Sequence, residues 1–83
     1  SWLAVGRIKK SNEYGNVVSG NVITVNSKNS IIEGSDKLIA TVGVNNMIVV
    51  DTDDALLICD KDHAGEIKKV IENLRICNRN EYI

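Results

Sequence analysis

The stretch VVSGNVITVNSKNSIIEGSDKLIATVGVNNMIVVDTDDALLIC, residues 17–59, decides the fold of this 83-residue chain. It consists of short runs rich in Val and Ile, separated by Gly, Asn, Ser and Asp. The runs begin about every eight residues, a spacing typical of brief β-strands joined by tight connections. They comprise residues 17–18, 21–25, 30–33, 37–42, 47–51 and 55–59.

The connections between these runs limit the topology. None of them can hold the helix of a β-α-β crossover, which takes about a dozen residues or more. The strands are therefore either joined as hairpins or wound as the coils of a small β-helix. The residue identities along this region show no internal repeat that we can name.

After Cys59 the pattern changes to that of an amphipathic helix. Four aliphatic residues recur at helical spacing and form one apolar stripe. They are Ile67, Val70, Ile71 and Leu74. Asp60 or Asp62 is suited to cap the start of this helix. We expect the helix to occupy residues 60–78 and to pack on the strands, with residues 79–83 as a polar tail.

The residues before the strands predict a second, shorter helix. Its apolar positions are Trp2, Leu3, Val5 and Ile8, although Gly6 is a poor helix former. A polar turn follows at residues 11–16. We assign residues 1–16 as a connecting helix and turn, and the whole chain as one domain.

The composition excludes several classes of function. With 43% hydrophobic and 25% charged residues, the chain resembles an ordinary folded domain, and its aliphatic content favours strands. A formal net charge of −1 provides no basic field for nucleic acid or an anionic membrane surface. The apolar runs are too short to cross a bilayer. Cys59 and Cys77 are expected to be free thiols in a reducing cytosol.

Five aspartates are the first candidate for a site, because closely spaced carboxylates can hold Mg²⁺ or Ca²⁺. They are Asp51, Asp53, Asp54, Asp60 and Asp62. A calcium loop starting at Asp51 would place Leu56 where the sharp turn needs Gly, and Asp62 where Glu is usual. We therefore interpret residues 52–54 as a tight turn between two strands and residues 60–62 as a capped helix start.

Histidine and cysteine chemistry is the second candidate. His63, the only histidine, could act as a general base or metal ligand if a carboxylate oriented it. Its position in the first turn of the helix predicts a solvated side chain instead. A catalytic thiol would need a base or a positive field beside it. Cys59 ends a strand and Cys77 follows the helix, so we interpret both as core or near-core thiols.

Phosphate and nucleic-acid sites are also not indicated. The six glycines are scattered and form neither a GxGxxG nor a GxxxxGK pattern, so we interpret them as turn and corner residues. The pairs Lys9-Lys10 and Lys68-Lys69 have no interleaved aromatic residues on which bases could stack. The residues alone therefore predict no catalytic, cofactor-binding or metal-binding residue in this chain.

Short segments along the whole chain nevertheless form an ordered series. They are Ser1-Trp2, Gly15-Asn16, Asn29-Ser30 and residues 20–22, 38–44, 49–55, 56–58 and 67–71, followed by Arg79 and Glu81. The series resembles the region that follows the nucleotidyltransferase domain in bacterial mannose-1-phosphate guanylyltransferases, including those fused to a mannose-6-phosphate isomerase. Gly6 and Asn21 depart from the family pattern, which usually has a bulky residue and an Asp there.

The resemblance implies a mainly β fold. It would be a short left-handed β-helix or β-roll with a C-terminal amphipathic helix and a short N-terminal helix. In that family the domain packs on the upstream catalytic domain and contributes to homodimer contacts. The parent enzyme would be cytoplasmic and would use Mg²⁺ to join GTP and mannose 1-phosphate into GDP-mannose and pyrophosphate. The glycine-rich loop, lysine and metal ligands of that chemistry lie outside this chain, so we expect the chain alone to be inactive.

Two alternatives remain open. The first is a free-standing module that binds a partner protein through an exposed strand edge. The second is the same domain in an enzyme that activates a different sugar. In the enzyme setting, we expect Val and Ile side chains between Val17 and Val50 to pack against another domain or subunit, because exposed strands must be covered or paired.

Overall fold

The computed structural model describes residues 14–82, so the helix predicted near the start of the chain lies outside the described residues. The strands are β1 (Val17–Ser19), β2 (Val22–Val25), β3 (Ile31–Glu33), β4 (Ile39–Val42), β5 (Met47–Asp51) and β6 (Leu56–Asp60). A 3-10 helix (Lys61–Glu66) leads into helix α1 (Ile67–Ile76), and a second 3-10 turn spans Asn80–Tyr82. None of the helices within residues 14–82 has the length and apolar character to span a membrane.

The strands form two sheets, and the coiled chain passes back and forth between them. One sheet has the order β1-β3-β5-β6, and the other contains β2 and β4. All neighbouring strands are parallel except β5 and β6, which form an antiparallel hairpin. Because successive strands alternate between the sheets up to β5, the chain winds as coils with a rise of about 4.8 Å per turn. The predicted mainly β fold with a terminal helix is therefore confirmed, and most connections are coils, not hairpins.

The coils repeat with a constant offset. Val22 in β2 pairs with Ile39 in β4, and Ile31 in β3 pairs with Ile48 in β5, an offset of 17 residues in each case. The first coil is shorter, because only two residues join β1 to β2 whereas five join β3 to β4. The structure therefore shows a repeat that the residue identities did not allow us to name.

The repeat is one of conformation more than of residue identity. Asn29 and Asn46, one repeat apart, both adopt the left-handed backbone region, with φ of 53° and 59°. Asn26 and Gly43 occupy another pair of equivalent corners, with φ of 51° and 66°. Asn and Gly are the residues that tolerate this conformation best, so different residues can build the same corner.

The main apolar cluster lies on the four-stranded sheet beneath the start of α1. It contains Ile48, Val50, Leu57 and Ile67, of which only Ile67 comes from the helix. Val70, the next residue of the apolar stripe, is 40% exposed. The expected packing of the helix on the strands is confirmed at Ile67, and Ile71 and Leu74 further along the stripe are half-buried.

Polar side chains fill part of the coil interior. The Asn16 side chain donates a hydrogen bond to the Ser27 carbonyl (2.7 Å) and accepts one from the Ser30 backbone N–H (3.0 Å). The hydroxyl groups of Ser27 and Thr41 lie 2.8 Å apart and share a hydrogen bond. Asn16 is only 1% exposed, although the sequence indicated a surface turn at this position. These side chains pair backbone groups at the coil corners that no strand can reach.

Candidate functional site

The turn and the helix cap predicted from the aspartates are both present. Residues 52–55 form the turn between β5 and β6, where the Thr52 N–H donates to the Ala55 carbonyl at 2.9 Å. The Asp60 carboxylate caps the 3-10 helix by accepting from the Asp62 N–H at 2.8 Å. Within the described residues, no three His, Cys, Asp or Glu side chains are arranged to hold a metal ion.

His63 belongs to an exposed chain of charges on the helix. Its Nδ1 lies 2.6 Å from Glu66 Oε2, and Lys69 Nζ lies 3.2 Å from Glu66 Oε1. The hydrogen bond to Glu66 raises the pKa of His63, and the same bond, with that from Lys69, lowers the pKa of Glu66. The His63 side chain is 67% exposed, which confirms the predicted solvated position. This arrangement stabilises the helix surface and encloses no space for a substrate.

The two thiols lie in different environments, and both are free. Cys59 is partly buried, and its Sγ donates to the Asp60 carbonyl at 3.0 Å. Burial raises the pKa of Cys59, and the charges of Asp60 and Glu66 raise it further. Cys77 is exposed, so the interpretation of this residue as a core thiol was wrong. It follows Ile76, the last residue of α1.

The two-stranded sheet has an apolar outer face, formed by Ile23, Val25, Ala40 and Val42. Ile23, Val25 and Val42 are 55%, 48% and 73% exposed. The strands alternate, and among the residues pointing inward is the buried Thr41. A sheet with one solvated face normally places its apolar residues inward. Here Val22 and Ile39 point inward, but the outward positions are apolar as well. We interpret the outer face as an interaction surface, because contiguous exposed apolar patches have that role in soluble proteins.

A groove opens at the end of the coil, and we call it the end groove. The chain reverses at residues 52–55 instead of continuing the coil, so β6 extends its sheet one strand beyond β4. The step leaves a cavity of about 710 Å³ between β4 and the β5–β6 hairpin. Leu38, Leu56 and Ile58 line it and are each more than half exposed.

Asp51 lines the same groove and is the one aspartate of the five that is buried. Its Oδ2 accepts a hydrogen bond from Ser35 Oγ at 3.2 Å. Its Oδ1 lies 3.1 Å from Lys37 Nζ but accepts no hydrogen bond of good geometry. The Asp51 side chain is 1% exposed, whereas that of Lys37 is 69% exposed. Within residues 14–82, this buried oxygen therefore has the solvated Lys37 as its ionic partner and no hydrogen-bond donor of good geometry.

Comparison with known proteins identifies the fold. The model of the MannoseP isomerase/GMP-like beta-helix domain family matches residues 20–74. The chain belongs to this β-helix domain family. The family assignment agrees with the observed coils and confirms the resemblance inferred from the sequence. Sequence reasoning did not find the outer face or the end groove, because β2 has apolar residues on both of its faces.

Relatives of this β-helix domain are much longer proteins. A mannose-1-phosphate guanylyltransferase of Salmonella muenchen is 42% identical over 99% of this chain, and one of Klebsiella pneumoniae is 38% identical over 99%. The chain spans 17% of the length of each. A Thermus thermophilus crystal structure, described as a mannose-1-phosphate geranyltransferase, superposes with a TM-score of 0.74. It is 26% identical, and the match covers 89% of this chain and 23% of that protein.

Proposed function

We propose that this β-helix domain is a non-catalytic, structural part of a mannose-1-phosphate guanylyltransferase. The parent enzyme joins GTP and mannose 1-phosphate into GDP-mannose and pyrophosphate. Support comes from relatives of that name, which match 99% of the chain at identities of 42% and 38%. Since the domain spans about a sixth of their length, the catalytic residues belong to the remaining polypeptide, with a nucleotidyltransferase domain upstream.

The observation that carries the structural role is the outer face. Its Ile and Val side chains stay in water in the isolated domain, although each aliphatic side chain gains about 1.5–3 kcal/mol on full burial. We infer that this face packs against the catalytic domain or a second subunit of a homodimer. Such a contact also protects the short two-stranded sheet from unwanted association.

The described residues do not fit the chemistry of the parent reaction. Joining a nucleotide to a sugar phosphate needs neutralisation of phosphate charge by Mg²⁺ and by basic residues. Residues 14–82 contain no cluster suited to a metal ion. The buried Asp51 carboxylate accepts one hydrogen bond, from Ser35, and its other oxygen lies 3.1 Å from Lys37 Nζ. We propose that Mg²⁺ and GTP bind in the upstream domain. The two free thiols agree with a cytoplasmic location, where thiols stay reduced.

The activity is tested by measuring pyrophosphate release from the complete gene product with GTP, mannose 1-phosphate and Mg²⁺. The 83-residue chain is assayed alone beside it. Activity in the complete protein and none in the chain is the expected result. If the complete protein releases no pyrophosphate with mannose 1-phosphate but does so with another sugar phosphate, the domain belongs to a related nucleotidyltransferase.

The role of the outer face is tested in the complete protein with the double variant Ile23→Thr and Val42→Thr. Threonine keeps the β-branched shape and removes apolar surface. We expect the subunits to dissociate or the domains to separate, with a dimer Kd raised at least about tenfold if each residue contributes roughly 1 kcal/mol. Ile76→Thr, at a position 81% exposed on α1, is the matched control. Unchanged sedimentation and unchanged domain contacts in the double variant would refute this role.

A further inference from the structure

The end groove lies beside β4, at the position that one further strand of its sheet would occupy. Within the two-stranded sheet, Ile39 N–H donates to the Asn21 carbonyl and Gly43 N–H to the Val25 carbonyl. In a parallel strand, alternate residues point their backbone groups to opposite sides. The N–H and C=O groups of the residues between, Ala40 and Val42, therefore point away from β2. They lie along the edge of β4 that pairs with no strand of residues 14–82, which we call its free edge. An extended segment at this edge would continue the sheet by one strand.

The floor of the end groove is an apolar surface on which such a strand could pack. Leu56 and Ile58 in β6 stand opposite the free edge of β4 and are 54% and 62% exposed. Val49, one strand further in, lines the groove as well. A strand added below β4 would lay its inward side chains on this surface. Clefts of roughly 300–1,000 Å³ enclose small ligands, so about 710 Å³ accommodates a few residues of extended chain.

The step in the fold excludes symmetric pairing of two copies of the domain through their β4 edges. If two copies paired through their β4 edges around a two-fold axis, each β6 would lie at the level of the other copy's β5. The two hairpins would occupy the same space, because β6 extends one strand beyond β4. A single strand without a partner sheet behind it avoids this collision.

The charges around the groove define the chemistry of that strand. Among residues 14–82, the buried Oδ1 of Asp51 accepts no hydrogen bond of good geometry, and Lys37, whose Nζ lies 3.1 Å from it, is 69% exposed. The adjoining corner and turn add Asp36, Asp53 and Asp54. The rim is thus acidic overall, and a Lys or Arg in the added strand would form a charge-assisted hydrogen bond with the Asp51 oxygen.

We propose that the end groove receives one β-strand, with apolar inward side chains and a Lys or Arg directed at Asp51, from the same polypeptide outside these 83 residues. The source follows from length, since the relatives carry most of their sequence beyond the part matched by this chain. The inference rests on the proposed function, because it requires a longer parent chain. Strand addition to a free edge is a common mode of peptide recognition.

Amide hydrogen exchange at Ala40 and Val42 tests the proposal. The complete protein is compared with the 83-residue chain at single-residue resolution. We expect both amides to exchange roughly tenfold more slowly in the complete protein, because they gain backbone hydrogen bonds there. The amides of Ile39 and Gly43, already bonded to the neighbouring coil, serve as internal references. Equal, fast exchange in both proteins overturns the proposal, and slow exchange in both overturns the assignment of the strand to a segment outside this chain.

Variants of the complete protein separate the parts of the proposal. Ile58→Thr and Asp51→Asn should each return the two amides towards fast exchange, while Ile76→Thr on the distant helix should not. If Ile76→Thr has the same effect, the protection reflects the stability of the whole protein, and binding of a strand in the end groove is refuted. If Asp51→Asn changes nothing while Ile58→Thr does, the cationic partner is refuted. An inactive complete protein with slow exchange at Ala40 and Val42 would count against the proposed enzyme activity and not against the binding of a strand in the end groove.

Discussion

Replacing Asn16 with alanine should strongly destabilise the coil. The Asn16 amide reaches the Ser27 carbonyl at 2.7 Å, and its oxygen accepts from the Ser30 N–H at 3.0 Å. Ser27 and Ser30 are 4% and 0% exposed, so water cannot replace the lost partners without opening the corner. Alanine would therefore leave one buried donor and one buried acceptor unpaired, beside a cavity.

The expected loss follows from these two groups. A buried polar group left without a partner costs about 1–3 kcal/mol, so the variant should lose about 4 kcal/mol of unfolding free energy. A domain of this size has a total of roughly 4–12 kcal/mol, at about 0.05–0.15 kcal/mol per residue. Each kcal/mol corresponds to about 4–8 °C in a small domain, so the Tm should fall by at least about 15 °C.

Urea and thermal unfolding of the 83-residue chain, followed by circular dichroism, measure this loss. The control is Asn21→Ala, because the exposed Asn21 amide reaches only the Asp36 carbonyl, at 3.5 Å. Its effect should stay within about 0.5 kcal/mol, as for most surface substitutions. If Asn16→Ala lost less than about 1 kcal/mol, the two hydrogen bonds would not be structural and the reasoning would fail.

Two further predictions concern a coil corner and the helix surface. At Gly20 (φ +84°) an added Cβ would lie 2.5 Å from the Gly34 carbonyl oxygen, whereas at Gly43 (φ +66°) it would meet no atom within 4 Å. Gly20→Ala should thus cost clearly more than the roughly 1–2 kcal/mol of backbone strain expected for Gly43→Ala, and equal urea midpoints would contradict this. Glu66→Gln should lower the pKa of His63 measured by NMR, because it removes the negative charge of the partner that raises it. The raised pKa of His63 stabilises the fold below pH 6.5 and the lowered pKa of Glu66 above pH 4.5, so the pair contributes most between these values. An unchanged His63 titration in the variant would mean that the pair does not form in solution.

The local elements could be predicted because their signals are local. β-branched runs indicated the strands, the Thr52-Asp53-Asp54 sequence indicated the hairpin turn, and Asp60 indicated the cap. Cys77 was misplaced because its burial depends on where α1 ends relative to the sheet. The repeat was missed because Asn26 and Gly43 build equivalent corners with different residues.

The candidate site was only partly predictable. The sequence indicated that aliphatic side chains on the coils need a partner, and the family resemblance indicated an enzyme of sugar-nucleotide synthesis. The sequence did not indicate which aliphatic side chains are exposed, because a run such as Val22–Val25 has apolar residues on both faces of its strand. Only the pairing with β4 shows that Ile23 and Val25 join one continuous outer face.

By itself, the sequence determined the mainly β class, the order of its elements, the terminal helix and the family, since these depend on residue propensities and spacing along the chain. The tertiary structure alone decided that parallel coils, not hairpins, join most strands, because short connections are compatible with both. It also decided that Asp51 is buried while Asp53 and Asp54 are exposed, although all three lie within four residues. Burial and register arise from contacts between residues one coil apart, and such contacts leave no local signature in the sequence.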